Sequence, residues 1–246
     1  MSKITNYLKE FKLTLRSIPA LTIVFFVIAT IFMNIFGSRE LISSEYLKLN
    51  DGIVFSWVGF ACMDCVCKRF GKKAAFKMNV VATIIEVIVS IVFFVLMRVP
   101  GTWSAVFSAP NAESGTMINE AINSTFSGTW YIVLWSAIAM LSSGFLNIVL
   151  NMKIGEKVDD GSYKGFSIRS FVSTIIAQFV DNFIFSAAVS HVLFGWSWKY
   201  VIICSITSML IEFLLEALVS PLTYHIAKTW ERENVGREYL EYIKGE

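Results

Sequence analysis

The chain has 246 residues, 55% of them hydrophobic and only 16% charged, with a net charge of +2 and a mean hydropathy of +0.62. A soluble domain carries about 25% charged residues and needs a polar skin that this composition does not supply. A water-soluble globule is therefore excluded and a bilayer is the natural solvent. The 21 Phe and 7 Trp agree with this reading, since Trp favours the membrane interface, and nothing in the charge content points to nucleic acid.

A helix needs about 20 apolar residues to cross the hydrocarbon. In chain order the sequence predicts spans over 18–37, 53–67, 78–97, 129–152, 170–192 and 198–227. The second is short. The sixth is longer than the bilayer is thick, so it should tilt, kink near Pro221 or extend into the cytoplasm. The first comes after Lys and Arg residues as a signal peptide would, but it is too long and lacks a small-residue cleavage site, so it reads as a retained helix. Between the third and fourth spans, Pro100 to Gly128 forms the longest outside loop, with a short interfacial helix expected over Met117 to Phe126.

Positive charge orients this parse. The N-terminus holds Lys3, Lys9, Lys12 and Arg16, and the segment after the second span holds Lys68, Arg69, Lys72, Lys73 and Lys77. After the fourth come Lys153, Lys157, Lys164 and Arg169, and the tail adds Lys228, Arg232, Arg237 and Lys244. That is 17 of the 21 basic residues on one side, with Arg39, Lys48, Arg98 and Lys199 on the other. The expected fold is all-α: one transmembrane domain over 1–246, six helices, both termini in the cytoplasm.

Steps of three or four residues keep side chains on one helix face, and each predicted span carries a polar stripe. The first offers Thr30 and Asn34, the second Trp57, Ala61, Asp64 and Lys68, and the third Asn79, Thr83, Glu86 and Ser90. The fourth has Ser136, Met140, Ser143, Asn147 and Asn151, the fifth Ser170, Thr174, Gln178, Asp181 and Phe185, and the sixth Ser205, Ser208, Glu212, Glu216 and Ser220. Ser136, Ser143 and Thr174 read as ordinary helix–helix contacts. The five acids differ, since each would cost about 2.5 kcal/mol or more against lipid. Together with Asn147 and Gln178 they predict a polar cavity inside the bundle. For Asp64 a structural ion pair with Lys68, one turn on, weighs equally.

Cys62, Cys65 and Cys67 in a C-x2-C-x-C spacing, with Cys204, lack a second ligand cluster and read as small buried residues. No H-E-x-x-H, G-x-S-x-G, D-D-x-x-D or Walker motif appears, and His191 and His225 fall at helix ends. Neither an enzyme nor a cofactor is expected, which leaves transport of a small polar solute as the reading with positive support.

The stretches FSWVGFACMDCVCKRFGKKAA, RSFVSTIIAQFVDNFIF and SPLTY, with Asn34, resemble in order and spacing the vitamin-uptake-transporter family of queuosine-precursor transporters. The likeness runs from about Asn34 to Tyr224 and carries over Asn34, Asp64, Gly71, Ser173, Asp181 and Pro221. It implies uptake of a 7-deazaguanine, such as the 7-cyano or aminomethyl compound or queuine, across a bacterial plasma or inner membrane. Two departures bear on the substrate: Lys68 stands where many relatives have Glu and some a basic residue, and Ile211, Glu212 and Glu216 stand in the last helix, where relatives commonly have a Lys.

Chemistry supports this independently. A guanine-like base presents two adjacent donors on one edge, which a carboxylate accepts in bidentate geometry. Asn or Gln meets its carbonyl edge, and an aromatic ring stacks on its face. Asn34, Trp57, Asp64, Glu86, Asn147, Gln178, Asp181, Glu212 and Glu216 are the candidate binding residues. The expected partners are a deazapurine base and the lipid bilayer; a homodimer is compatible with the sequence. Transport is either facilitated or proton-coupled, with Glu86, Glu212 or Glu216 as carriers. The alternatives are a substrate-binding subunit that borrows an external energising module, or an intramembrane enzyme.

Overall fold

The computed structural model describes residues 3–158 and 163–244, and within these it leaves the side chains of residues 3–5, 148, 151, 152 and 155–171 undescribed. The contributions expected of Lys3, Asn151, Lys157, Lys164, Arg169 and Ser170 therefore lie outside the described residues. The chain is helical almost throughout: α1 (Lys3–Ser17), α2 (Ala20–Phe36), a hairpin of β1 (Glu40–Ser43) and β2 (Lys48–Asn50), α3 (Ile53–Phe70) and α4 (Lys72–Leu96). Then come α5 (Ala112–Ser127), α6 (Thr129–Val158), α7 (Tyr163–Phe185), α8 (His191–Phe194), α9 (Trp198–Arg232) and α10 (Arg237–Lys244). Every backbone donor and acceptor inside a bilayer needs an internal partner, which is why the apolar segments are helices.

Four stretches are long and apolar enough to cross a membrane: Lys72–Leu96, Ala112–Asn147 (α5 running into α6), Val172–Phe194 and Trp198–Arg232. A fifth arises if Asn6–Ser17 and Ala20–Phe36, bent by 96°, count as one broken span. The chain is thus an all-α, multi-pass membrane protein. The second predicted span coincides with α3, whose 18 residues include Asp64, Lys68 and Arg69. Those three charges keep it out of the set of purely apolar spans, although at 1.5 Å per residue it is about 27 Å long. The first predicted span matches α2, with 17 residues and no charge. The sixth matches α9 (Trp198–Arg232), which continues as helix through Pro221 and past the predicted end at residue 227.

The described residues form two compact units. The first comprises Met1–Met33, Val54–Glu86 and Leu214–Glu246. Its core joins Ile18, Phe26, Val66, Phe70, Ala75, Met78 and Tyr239. Small residues at Ala74, Ala75 and Ala82, all essentially buried, let helix backbones approach closely. Gly71, at φ +86°, supplies the left-handed residue that ends α3 and lets α4 begin one position later.

Two elements of this unit were not anticipated, α1 and α10; both are amphipathic and too short in apolar residues to register as spans. They pack on each other and on α4 through Lys77, which is 4% exposed. Its ammonium pairs with Glu10 at 2.6 Å, donates to Thr14 Oγ1 at 3.2 Å and lies over the rings of Tyr7 and Tyr239. Burial pushes the Tyr239 hydroxyl above its ordinary range. Arg69 donates twice to the Val235 carbonyl, at 3.1 and 2.9 Å, and so holds the turn before α10.

The second unit comprises Asn34–Ile53 and Val87–Phe213. The hairpin pairs Glu40 with Asn50 and Ser43 with Lys48, with an irregularity between Glu40 and Ile42. It is fixed to the segment between α8 and α9: Trp196 Nε1 donates to Glu40, and Lys48 lies 5.5 Å over the Trp196 ring and 4.8 Å over Tyr200. Between α4 and α6, Asn111 caps α5 by accepting from the Ser114 amide at 2.8 Å. Trp103 stacks on Phe126 at 5.7 Å and donates to Asn123 Oδ1 at 2.8 Å. The expected helix over Met117 to Phe126 is therefore present as the longer α5.

Gly236 tests the packing of the first unit. Its φ is +68°, and an added Cβ would sit 2.2 Å from Cε1 of the buried Phe70 ring. Gly236→Ala is expected to cost about 2–4 kcal/mol from strain and overpacking, read as a fall in Tm of detergent-solubilised protein.

Candidate functional site

Two polar clusters stand out, one centred in each unit. In the first unit, Asp64 and Lys68 lie one turn apart on α3, with Nζ–Oδ2 at 2.5 Å. Thr223, on α9, donates to Asp64. Lys68 also donates to Thr223 Oγ1 at 3.0 Å and to Ser220 Oγ at 3.4 Å. Cys65 adds a thiol contact to the Thr223 carbonyl at 3.8 Å. The expected Asp64–Lys68 pair is thus present, tied to α9 by hydroxyls that the sequence did not mark as partners. Every described donor on Asp64 belongs to this network.

The second unit brings together α6, α7 and α9. Ser143, on α6, donates to Asp181 Oδ1 on α7 at 2.8 Å. The contact runs between helices, as read from the sequence for Ser143, but its partner is a carboxylate. The next residue, Asn182, donates its amide to Glu212 Oε2 on α9 at 2.8 Å and to the Gln178 carbonyl at 3.0 Å. One turn of α7 therefore connects two carboxylates to neutral donors. Asn182 escaped the sequence reading because it lies one residue, about 100°, off the Gln178–Asp181 stripe; a hydrogen-bonding residue directly beside a predicted site acid was the available signal. The antiparallel register set by Ser143 and Asp181 puts Asn147 level with the turn at Gln178. The Asn147 Oδ1 atom is buried and has no hydrogen-bond partner among the described residues.

The other candidates are more scattered. Asn34, in the second unit, and Glu86, in the first, are buried at 6% and 7% exposure. Glu216 is half-buried on α9, stepping by four residues from both Glu212 and Ser220. Trp57 is 45% exposed, while its neighbour Ser56 is the buried residue of that turn. Cys62, Cys65 and Cys204 are buried free thiols, and Cys67 is half-buried. Among the described residues no group of three or more His, Cys, Asp or Glu is placed to hold a metal ion.

Past Asp181, residues Ser186–Ser190 form a π-helical turn. Tyr131 of α6 donates its hydroxyl to the Ala188 carbonyl within that turn at 2.8 Å. Such turns are frequent at functional sites because they shift helix register by one residue.

The structure thus combines four or five stretches apolar enough to span with carboxylates held inside them by neutral donors. The family described as "Putative vitamin uptake transporter" matches residues 51–226. The chain belongs to that family. Comparison with curated proteins and with solved structures gives no match. The matched region of this vitamin-uptake family member contains α3 to most of α9, and so both polar clusters.

The Asp64 network makes a prediction that separates a structural pair from a ligand site. Asp64→Ala or Lys68→Ala alone leaves a partly buried charge without its counter-ion and is expected to cost about 1–3 kcal/mol. The double variant should recover a substantial part of that loss. A double-mutant cycle on Tm measures it; additive losses would show that the two residues act separately.

Proposed function

We propose that this protein is a six-span importer of a 7-deazaguanine base, with both termini in the cytoplasm and the base bound between α6, α7 and α9. The six spans would be α2, α3, α4, α6, α7 with α8, and α9. Supporting this count are the 17 of 21 basic residues that it gathers on one side, and supporting import is the family description as a vitamin uptake transporter. The sequence has no ATPase motif, so entry is facilitated, proton-coupled or driven by an external energising module.

The observation that carries the substrate reading is the pair of carboxylates on adjoining helices, Asp181 held by Ser143 and Glu212 held by Asn182. A carboxylate offers about four lone-pair sites, so Asp181, with the Ser143 hydroxyl as its neutral donor, keeps acceptor capacity for a ligand. The N1–H and exocyclic amine of a guanine-like base form an edge of matching spacing. Asn147 and Gln178 lie one turn away and have amides suited to the opposite, carbonyl-bearing edge. A cationic solute would satisfy the acids too, but the amide groups suit a base with both donors and acceptors.

In cells lacking their own deazaguanine synthesis, Asp181→Asn and Glu212→Gln are each expected to raise the KM for 7-cyano-7-deazaguanine uptake by about 10- to 100-fold, as the loss of a charge-assisted hydrogen bond implies. Wild-type uptake by both variants, at normal membrane abundance, would overturn the assignment. A binding screen of purified protein that responded to another vitamin and to no deazaguanine would move the substrate within the family's range. Imposing a pH gradient on proteoliposomes tests coupling: uptake that tracks the gradient makes the carrier proton-coupled, and indifference makes it facilitated. Accessibility labelling of single cysteines placed at both termini tests the orientation.

A further inference from the structure

The first unit contains an open cleft of about 670 Å³ that neither polar cluster uses, walled by the α1–α2 corner and the α9–α10 turn. Leu15, Arg16, Pro19 and Ile23 line one side, and Val235 and Arg237 the other. Its size falls within the range of small-ligand sites, about 300–1,000 Å³. The corner arises because Pro19 has no amide hydrogen with which to continue α1, and α2 leaves at 96° to it. In the six-span reading proposed above, on which this inference rests, the charge-free α2 crosses the bilayer and the corner lays α1 along its surface.

The two walls differ in chemistry along the same direction. Lys9, Lys12 and Arg16 step by three and four residues and place an exposed cationic edge on α1. Below the corner, α2 continues from Ala20, which lines the cleft, through Val24 at 48% exposure and Ile28 at 44%. Guanidinium groups at the mouth thus lead into an uncharged, exposed helix face, which is the polarity profile of an amphiphile with an anionic head. Glu238 also lines the cleft, and Arg237 Nε is held by Glu241 at 2.5 Å. Arg237 has five N–H donors in all, and Lys9 and Lys12 keep the surroundings net positive. A basic surface helix meeting an apolar span fits anionic lipid.

We infer that this cleft binds the headgroup of an anionic phospholipid, its phosphate between Arg16 and Arg237 and an acyl chain along the Ala20–Val24–Ile28 face of α2. The full-length protein in neutral detergent provides the test, with phosphatidylglycerol, phosphatidylcholine and inorganic phosphate as probes. Phosphatidylglycerol is expected to raise Tm and to remain bound in native mass spectrometry, while the other two do neither. Arg16→Gln with Arg237→Gln should weaken phosphatidylglycerol binding by about tenfold or more, given the strength of each basic contact with an anionic surface. Equal responses to the two lipids, an equal shift from inorganic phosphate, or wild-type affinity in the variant would each overturn the assignment. Should the double variant fail to fold, Arg16→Gln alone is expected to lose about fivefold, and undiminished binding there would equally overturn it.

Discussion

The constraint on which this structure turns is the cost of a carboxylate in hydrocarbon, about 2.5 kcal/mol or more for each acid that faces lipid. The chain carries Asp64, Glu86, Asp181, Glu212 and Glu216 within its apolar stretches. The structure places hydrogen-bond donors on three of them: Thr223 on Asp64, Ser143 on Asp181 and Asn182 on Glu212, each from a neighbouring helix. Satisfying these groups decides which face of α3, α6, α7 and α9 turns inward. Apolar packing alone could not decide it, because lipid tails are as apolar as Leu.

The acids are not equivalent, and the kind of donor separates them. Asp64 has a cation one turn away, and that cation is bound in turn by Thr223 and Ser220. Charge is neutralised within the network, and the result is a tie between α3 and α9. Asp181 and Glu212 have a hydroxyl and an amide, which orient a carboxylate without cancelling its charge. These donors tie α6, α7 and α9 together through polar contacts rather than through a neutralised pair. For Asp64, where ion pair and binding group weighed equally in the sequence, the geometry favours the ion pair.

Much of this was legible from residue order. Hydropathy located α2, α4, α6, α7 and α9 within several residues, and the three-and-four stepping of polar positions singled out Asp181, Glu212 and Gln178. The elements that escaped did so for identifiable reasons. The helices α1 and α10 are amphipathic and lie off the spans, so a search for apolar length passes over them, and Lys77, counted only as positive charge, is the residue that binds both. Asn182 lies off its stripe by one residue, and Thr223 beyond the last position assigned to its stripe. Trp57 shares a stripe with Asp64 in the sequence yet is largely exposed, because Ser56 takes the buried position of that turn.

The π-turn at Ser186–Ser190 explains why the α7 stripe stops at Phe185. An α-helix that kept its register would carry the Asp181 face onward to Ala188 and Val192. The inserted residue rotates the remainder of the helix by about 100°, so His191 stacks on Trp198 at 4.7 Å and its Nδ1 meets the Trp196 carbonyl at 2.5 Å. The same helix thus gives one face to the acids and another to the hairpin anchor at Trp196 and Glu40. The register shift costs α-helical hydrogen bonding, and the Tyr131 hydroxyl on Ala188 offsets part of that cost by satisfying a carbonyl in the turn. The π-turn thus lets one continuous helix present Asp181 to Ser143 of α6 and His191 to Trp196 and Trp198.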